Sequence, residues 1–198
     1  MRQCNREGTT SSISTRHFMH VMQTERGTTL SRSAPTNSHQ RALKALLIIG
    51  LAMIVLDSVS KSLALRALSS NPKEIIGSFL QLQLTSNSGA AFSLAPNATI
   101  FLSLLSFLAI IAIYLFSQSI TSLLWGIALG FLLGGISGNL LDRIFRAPFL
   151  LRGRVIDWIR LPHWPVFNLA DTSIVISAVT IAILLFNDVK PRSHHDVA

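Results

Sequence analysis

The chain has 198 residues, of which 49% are hydrophobic and only 13% are charged, and its mean hydropathy is +0.49. The charged share is about half that of an ordinary soluble domain, which argues against a soluble enzyme because too few charges remain to cover its helix faces. The single cysteine, Cys4, excludes an intrachain disulfide and a cysteine-based zinc cluster, and the net charge of +8 includes no helical stripe of basic residues for nucleic acid.

Residues 1–41 form a polar tail rich in Ser, Thr, Arg, Gln and His. This composition is typical of disorder, and no apolar core of roughly 7–15 residues marks a secretory signal peptide. The basic residues of the tail are scattered, so we expect no nucleic-acid partner. A polar, Arg-bearing tail is typical of the cytoplasmic side of a membrane protein.

Four apolar segments follow, each close to the ~20 residues that a helix needs to cross ~30 Å of hydrocarbon. They are predicted at Ala45–Leu65, Ala98–Phe116, Ser122–Leu141 and Phe167–Phe186. Four spans place both termini on one side, but the basic residues of the two sides do not decide which side is cytoplasmic. We predict an all-α membrane protein with a four-helix domain at residues 42–187 and a short C-terminal tail at residues 188–198.

The connections after the first and third spans alternate polar and apolar residues, which is typical of strands. Within residues 74–94, Phe79, Gln81 and Gln83 alternate with leucines, and residues 152–159 alternate less cleanly. Both connections lie on the side opposite the termini. We therefore predict a small β-cradle and a flap-like loop at that face, which is the outer face of the membrane if the termini are cytoplasmic.

The first span contains Asp57 and Lys61, an acid and a base four residues apart in the order that favours a helical ion pair. Ionisable groups within a span are costly and point to function by default. One interpretation is a neutralised pair near the end of the span. The other is a pair that fixes the first helix against the following loop or contacts a substrate, and the sequence leaves both open.

The third span has a glycine at every fourth position, stacked on one helical face: Gly126, Gly130, Gly134 and Gly138. Such a stripe lets another helix approach closely, so we predict helix packing there. At the end of this span, Asn139 and Arg143 share a face and Asp142 lies nearby. These polar groups either complete a helix C-terminus, where an arginine paired with an acid is favoured, or form one wall of a site.

Two aspartates near the start of the last span are the candidate catalytic pair. Asp157 has apolar neighbours on both sides, and its simplest structural role is a salt bridge to Arg154 or Arg160. Asp171 has the position to complete a capping box with Asn168 at the positive end of the last helix. Both aspartates are predicted at the same membrane face.

Two carboxylates held close together share a proton, because both cannot ionise cheaply at short range. The ionised one can then take a proton from water while the protonated one polarises a peptide carbonyl. This is the chemistry of an aspartyl peptidase, which needs no metal and no cofactor. Other arrangements fit less well, since Ser137 has no histidine in a partnering span and the sequence contains neither an H-E-x-x-H zinc motif nor a G-x-x-x-x-G-K-[ST] phosphate loop.

A second hypothesis is a small proton- or ion-coupled transporter, or a channel subunit, in which aspartates relay protons or bind an ion. A relay needs acids spread across the depth of the membrane. In this sequence Asp57, Asp142, Asp157 and Asp171 are all predicted at one face. The clustering favours a peptidase whose site is open to one side.

Five sequence blocks, in order between the spans, resemble those of the bacterial lipoprotein signal peptidases (signal peptidase II) over about residues 45–187. The blocks are Asp57-x-x-x-Lys61, Asn87-Ser88-Gly89-Ala90-Ala91-Phe92-Ser93, Gly134-Gly135-x-x-Gly138-Asn139-x-x-Asp142-Arg143, Val155-Ile156-Asp157 and Phe167-Asn168-x-Ala170-Asp171. Any one block is a weak signal, whereas five in order are highly specific.

The resemblance implies an aspartyl endopeptidase of the bacterial plasma membrane, with both termini cytoplasmic and the active site facing the periplasm or the cell exterior. Its substrate would be a prolipoprotein that carries a diacylglyceryl group on a cysteine, cut just before that cysteine. The partners implied are this substrate and membrane lipids, and we expect a monomer. Asp157 and Asp171 would be catalytic and would be blocked by the cyclic peptide globomycin. The residues implied to bind substrate or support the site are Asn87, Gly89, Asn139, Arg143, Asn168, Asp57 and Lys61.

The chain departs from the family pattern in two connections. The stretch from Arg143 to Asp157 is longer than usual, and the stretch from Asp157 to Asn168 is shorter. The resemblance therefore does not extend to the shape of the outer flap or to the substrate preference, whereas Asp157 and Asp171 match the family pattern. The tail at residues 1–41 lies outside the family pattern, so the resemblance implies no function for it.

Overall fold

The computed structural model describes residues 37–88 and 98–192. Residues 1–36, 89–97 and 193–198 lie outside the described residues. The predictions for the N-terminal tail up to residue 36, for Gly89 and for the last residues of the C-terminal tail therefore remain predictions.

Four helices occupy the described residues: α1 (Asn37–Ala67), α2 (Ala98–Ser117), α3 (Leu123–Phe145) and α4 (Leu169–Phe186). Each is long and apolar enough to cross a membrane. Large apolar side chains such as Leu47, Phe101 and Ile183 are exposed along them, as expected for helices surrounded by hydrocarbon rather than water. The chain is therefore a multi-pass membrane protein, and its helices confirm the four predicted spans.

The first helix begins earlier than the sequence predicts, at Asn37 rather than Ala45. Its first turns are held by contacts that the sequence does not reveal. His39 Nδ1 lies 2.7 Å from the carbonyl oxygen of Ile120 in the turn between α2 and α3, and Ala42 is fully buried against α3. Residues 37–41, which were predicted to belong to the tail, are therefore helical.

The glycine stripe of α3 packs against α1, as predicted. A Cβ atom added at Gly134 would lie 2.5 Å from Met53 Cβ, and one added at Gly130 would lie 2.9 Å from the carbonyl oxygen of Leu46. Both separations are too short for a side chain, so α1 and α3 approach each other closely only because these positions are glycine.

Three strands form a small antiparallel sheet in the order β1 (Lys73–Ile76), β2 (Leu80–Asn87) and β3 (Val155–Arg160). The sheet confirms the predicted β-cradle. The predicted strand over residues 74–94 is a hairpin in its described part, up to residue 88, and its remainder lies outside the described residues. The chain turns at Gly77, whose φ of +48° suits glycine because it has no Cβ. The alternating pattern therefore identifies β2 correctly and misses the turn before it.

The sheet brings distant parts of the chain to one end of the helix bundle, which we call the sheet end. Strand β2 pairs with β3 so that Thr85 is opposite Asp157 and Asn87 is opposite Val155. Ile159 forms a further bridge to Phe167, just before α4. The C-terminal ends of α1 and α3 and the N-terminus of α4 meet here, whereas the other end contains the start of α1 and the turn between α2 and α3.

Candidate active site

Asp157 lies in the middle of β3 and is almost fully buried, with 2% of its surface exposed. The side chain of Asn168 donates a hydrogen bond from Nδ2 to Asp157 Oδ1 at 2.6 Å. Asn87, at the end of β2, hydrogen-bonds the same carboxyl group. Two asparagines from different parts of the chain therefore orient this carboxyl group.

The salt-bridge interpretation of Asp157 is wrong, because neither neighbouring arginine pairs with it among the described residues. Within residues 37–88 and 98–192, no ion pair joins Asp157 to Arg154 or Arg160. Arg160 donates from Nη1 to Gln83 Oε1 at 2.8 Å, across the sheet to β2, and Arg154 is exposed. Asp157 is thus buried with hydrogen-bond donors but without an ion-pair partner among these residues.

Burial raises the pKa of Asp157 to about 6. Desolvation is the largest cause, because a carboxylate loses its hydration when it is buried, and the nearby charge of Asp171 raises the pKa further. The hydrogen bond from Asn168 and the positive charge of Lys61 act in the opposite direction. Asp157 can therefore hold a proton near neutral pH, where an ordinary aspartate is ionised.

Asp171 occupies the first turn of α4 and forms the predicted capping box. The backbone N–H of Asp171 donates to Asn168 Oδ1 at 2.9 Å, and the backbone N–H of Asn168 donates to Asp171 Oδ2 at 3.2 Å. Capping uses only one carboxylate oxygen. The other, Oδ1, accepts a hydrogen bond from Asn139 Nδ2 at 2.7 Å, so Asp171 also belongs to a side-chain network.

Asn168 connects the two aspartates. It is fully buried, and besides contacting Asp157 and capping Asp171 it donates from Nδ2 to Asn139 Oδ1 at 3.2 Å. Asn168 therefore contacts both carboxyl groups, that of Asp157 through its side-chain amide and that of Asp171 through its backbone N–H. The structure brings the predicted catalytic pair into one hydrogen-bonded cluster.

Lys61 joins the first helix to this cluster. Its Nζ lies 2.7 Å from Asp57 Oδ2 and 2.9 Å from Asp142 Oδ2, and it donates to Asn139 Oδ1 at 3.0 Å. Asp57 in turn accepts a hydrogen bond from the backbone N–H of Ala170 at 2.9 Å. The Asp57–Lys61 pair therefore exists as predicted, and it fixes α1 against the residues next to Asp171 rather than serving only to neutralise two charges.

Asp142, which the sequence offered only as part of a possible site wall with Asn139 and Arg143, supports the site in the structure. Its Oδ2 accepts a hydrogen bond from the backbone N–H of Ile156 at 3.2 Å as well as the contact from Lys61, and its Oδ1 pairs with Arg146. Since Ile156 directly precedes Asp157, Asp142 holds the strand that carries the first aspartate. The four-residue spacing between Asp142 and Arg146 is typical of a helical ion pair, and it is the feature of the sequence that could have drawn attention to Asp142.

Arg143 lies beside the network without an ion-pair partner of its own in the described part of the chain. The predicted pairing of this arginine with Asp142 is absent, because Asp142 binds Lys61 and Arg146 instead. Arg143 is 8% exposed, and its Nη1 has no hydrogen-bond partner among these residues. The charges of both Asp157 and Asp171 act on its guanidinium group.

Of the predicted site residues, the structure collects all but one at the sheet end. Gly89 lies outside the described residues, so its role remains a prediction. The residues brought together are Asn87, Asn139, Arg143, Asn168, Asp57, Lys61, Asp157 and Asp171.

Replacing Lys61 by methionine is expected to lower the free energy of unfolding by about 3–5 kcal/mol, because it leaves two buried carboxylates without their shared cation. The measurement is reversible unfolding in detergent micelles. Lys73→Met is the matched control, since Lys73 is exposed in β1 and its removal should change stability little. Equal stabilities of the two variants would contradict the assigned role of Lys61.

Comparison with known proteins gives a consistent result. The family model described as Signal peptidase (SPase) II matches residues 49–187. The lipoprotein signal peptidase of Streptomyces griseus is 39% identical over 171 residues, covering 85% of this chain and 87% of that protein. The one from Mycobacterium avium is 40% identical over 153 residues, covering 77% and 84%. A solved bacterial membrane enzyme superposes with a TM-score of 0.66 at 26% identity, over 74% of this chain and 95% of that chain.

Proposed function

Because this chain belongs to the signal peptidase II family, we propose that it removes signal peptides from prolipoproteins, and that it does so as an aspartic endopeptidase with Asp157 and Asp171 as its catalytic pair. The observation that carries the proposal is the buried network in which Asn168 contacts both carboxyl groups. The bond cut is the one just before the cysteine that carries the diacylglyceryl group. The substrate is therefore a membrane-anchored protein.

The charges of the cluster support one shared proton between the two aspartates. The cluster contains three basic and four acidic side chains: Lys61, Arg143 and Arg146, with Asp57, Asp142, Asp157 and Asp171. Fully ionised, it carries one net negative charge, which is unfavourable where water is largely excluded. One proton on the catalytic pair balances the cluster.

Asp157 is the better candidate for the acid and Asp171 for the base. Burial raises the pKa of Asp157 to about 6, so it carries the proton that polarises the peptide carbonyl. Asp171 accepts two N–H hydrogen bonds and lies at the positive end of the α4 dipole, both of which suit a carboxylate. It takes a proton from the attacking water. The titration itself belongs to the pair.

Arg143 is assigned to the substrate. A buried guanidinium N–H without a partner is unfavourable by about 1–3 kcal/mol or more, and Nη1 of Arg143 is such a group. A backbone carbonyl of the bound peptide would supply the missing acceptor. Asn87 and Asn139, which already contact the aspartates, complete the polar wall against which the peptide lies.

The position of the carboxylates favours a peptidase over the transporter alternative. Asp57, Asp142, Asp157 and Asp171 are connected through hydrogen bonds and ion pairs at the sheet end, whereas a relay needs acids across the depth of the membrane. We further propose that the sheet end faces the periplasm or cell exterior, that both termini are cytoplasmic, and that the enzyme acts as a monomer.

The pH dependence of cleavage tests the proposed proton. Below about pH 6 Asp157 keeps its proton, whereas above that pH Asp157 loses the proton and no longer serves as the general acid. We expect kcat/KM to fall on the alkaline side with an apparent pKa of about 6, by about tenfold per pH unit well above that value. Stability measured over the same range serves as the control. A flat profile between about pH 6 and pH 8 in folded enzyme would contradict the assignment.

A further inference from the structure

An open groove separates α1 and α2, lined by residues of these two helices and of α3. Helix α3 packs against both of them, but α1 and α2 scarcely contact each other. The gap is a cavity of about 300 Å³ with Leu43 and Leu47 on one wall, Ile110 and Ile113 on the other, and Leu133 of α3 behind them. Its walls are apolar and it opens toward the surrounding hydrocarbon, so it has the character of a slot for an acyl chain.

Residues with polar groups line the groove toward the end of the bundle opposite the aspartates. Tyr114 and Ser117, in the last turn of α2, and Gln118, directly after it, lie there. The contact between His39 Nδ1 and the carbonyl oxygen of Ile120 fixes the start of α1 beside this turn. Tyrosine is enriched where hydrocarbon meets the lipid headgroups, and Tyr114 is 63% exposed. This end of the groove therefore lies at headgroup level.

Two basic residues lie next to residues that line the groove, Lys44 next to Leu43 of α1 and Arg192 at Ser119, which follows Gln118. Lys44 is exposed on α1, next to Leu43 and one turn before Leu47. Arg192 donates from Nε to the carbonyl oxygen of Ser119 at 3.2 Å, which holds it at the end of α2. Among the described residues near this end, the basic side chains outnumber the acidic ones: Arg41, Lys44, Lys190 and Arg192 stand against Asp188.

We propose that this groove binds an anionic phospholipid, with one acyl chain in the slot and the phosphate between Lys44 and Arg192. Basic groups near the surface select anionic headgroups, and a long lysine side chain can reach headgroup level along the apolar wall. A zwitterionic lipid would place an acyl chain in the slot, but its headgroup has no net charge and would gain less from Lys44 and Arg192. The groove shares no lining residue with the catalytic cluster, so a test of lipid binding does not depend on the proposed function.

The test uses the purified full-length protein, freed of lipid in detergent, and measures the binding of phosphatidylglycerol and phosphatidylcholine with identical acyl chains by native mass spectrometry. Phosphatidylglycerol should bind more tightly to the unaltered protein. The double variant K44Q/R192Q should weaken that binding by about tenfold or more. The matched control R66Q/K73Q removes the same charge from exposed positions at the sheet end and should leave it unchanged.

A groove-filling variant, Leu47→Trp, provides the second line of evidence. Leu47 is 62% exposed, so the larger side chain can enter the slot without disturbing the core, and unaltered thermal unfolding without lipid verifies the fold. It should abolish the preference for phosphatidylglycerol. The proposal is overturned if the two lipids bind equally, if both double variants lose binding to the same extent, or if Leu47→Trp instead dissociates a dimer and leaves lipid binding intact.

Discussion

Asp157→Asn and Asp171→Asn are each expected to lower kcat/KM on a diacylglyceryl-modified prolipoprotein by about 1,000-fold or more, since a positioned acid or base contributes roughly 100- to 10,000-fold. Asparagine is nearly the same size as aspartate but cannot take up and return a proton. In Asp157→Asn the amide oxygen still accepts the hydrogen bond from Asn168. In Asp171→Asn one of the two acceptor oxygens is lost, so a small loss of stability accompanies the loss of activity.

The control for these variants is Asp188→Asn, which changes an exposed aspartate after α4. It should cleave like the unaltered enzyme. Unfolding measurements on all three variants show whether a loss of activity reflects the loss of a catalytic group or a loss of folded protein. If a folded Asp157→Asn or Asp171→Asn enzyme retained a tenth or more of the activity, that aspartate would be removed from the catalytic role.

A prolipoprotein that lacks its diacylglyceryl group should be cut at least ~100-fold more slowly than the lipidated form. An aspartyl pair is not selective by itself, so discrimination must come from binding. Each buried CH₂ of an acyl chain contributes ~0.8 kcal/mol, and a ratio of ~100 needs only ~2.7 kcal/mol of differential transition-state binding. Two long acyl chains can supply far more than this.

The measurement is the ratio of kcat/KM for the two substrates in the same bilayer or detergent. The two forms share one peptide sequence, so the ratio isolates the contribution of the lipid. Asp157→Asn, assayed on both, gives the background rate. Comparable kcat/KM values for the two substrates would mean that the enzyme recognises the peptide sequence alone. The proposed substrate would then be wrong, even if Asp157 and Asp171 are the catalytic pair.

Local patterns in the sequence were enough to predict the spans and the capping box. Apolar runs of membrane-spanning length and the Asn168–Asp171 spacing depend on neighbouring residues only, and the structure has both. The Asp57–Lys61 pair is also local, since the two residues lie one helical turn apart. The residues themselves suggested Asp157 and Asp171 as the catalytic pair, the family resemblance implied the same pair, and the structure brings the two into one network.

Features that depend on contacts between distant residues could not be predicted in the same way. The early start of α1 rests on the contact between His39 and Ile120. The hairpin of β1 and β2, which turns at Gly77, was missed because the alternation that predicted a strand covers only residues 79–84. The pairing of residues 73–76 with β2 is a contact that this local pattern does not reveal. Asp142 was read as a partner of Arg143, and its actual contact with the backbone of Ile156 arises only once β3 lies beside α3.

The proposed cleavage is tested by the masses of the products that the purified full-length protein releases from a diacylglyceryl-modified prolipoprotein. Two fragments are expected: a signal peptide that ends just before the lipidated cysteine, and a mature lipoprotein that begins with it. Neither fragment should appear with Asp157→Asn. Intact substrate after prolonged incubation with folded enzyme, or cleavage at a different peptide bond, would contradict the proposed function.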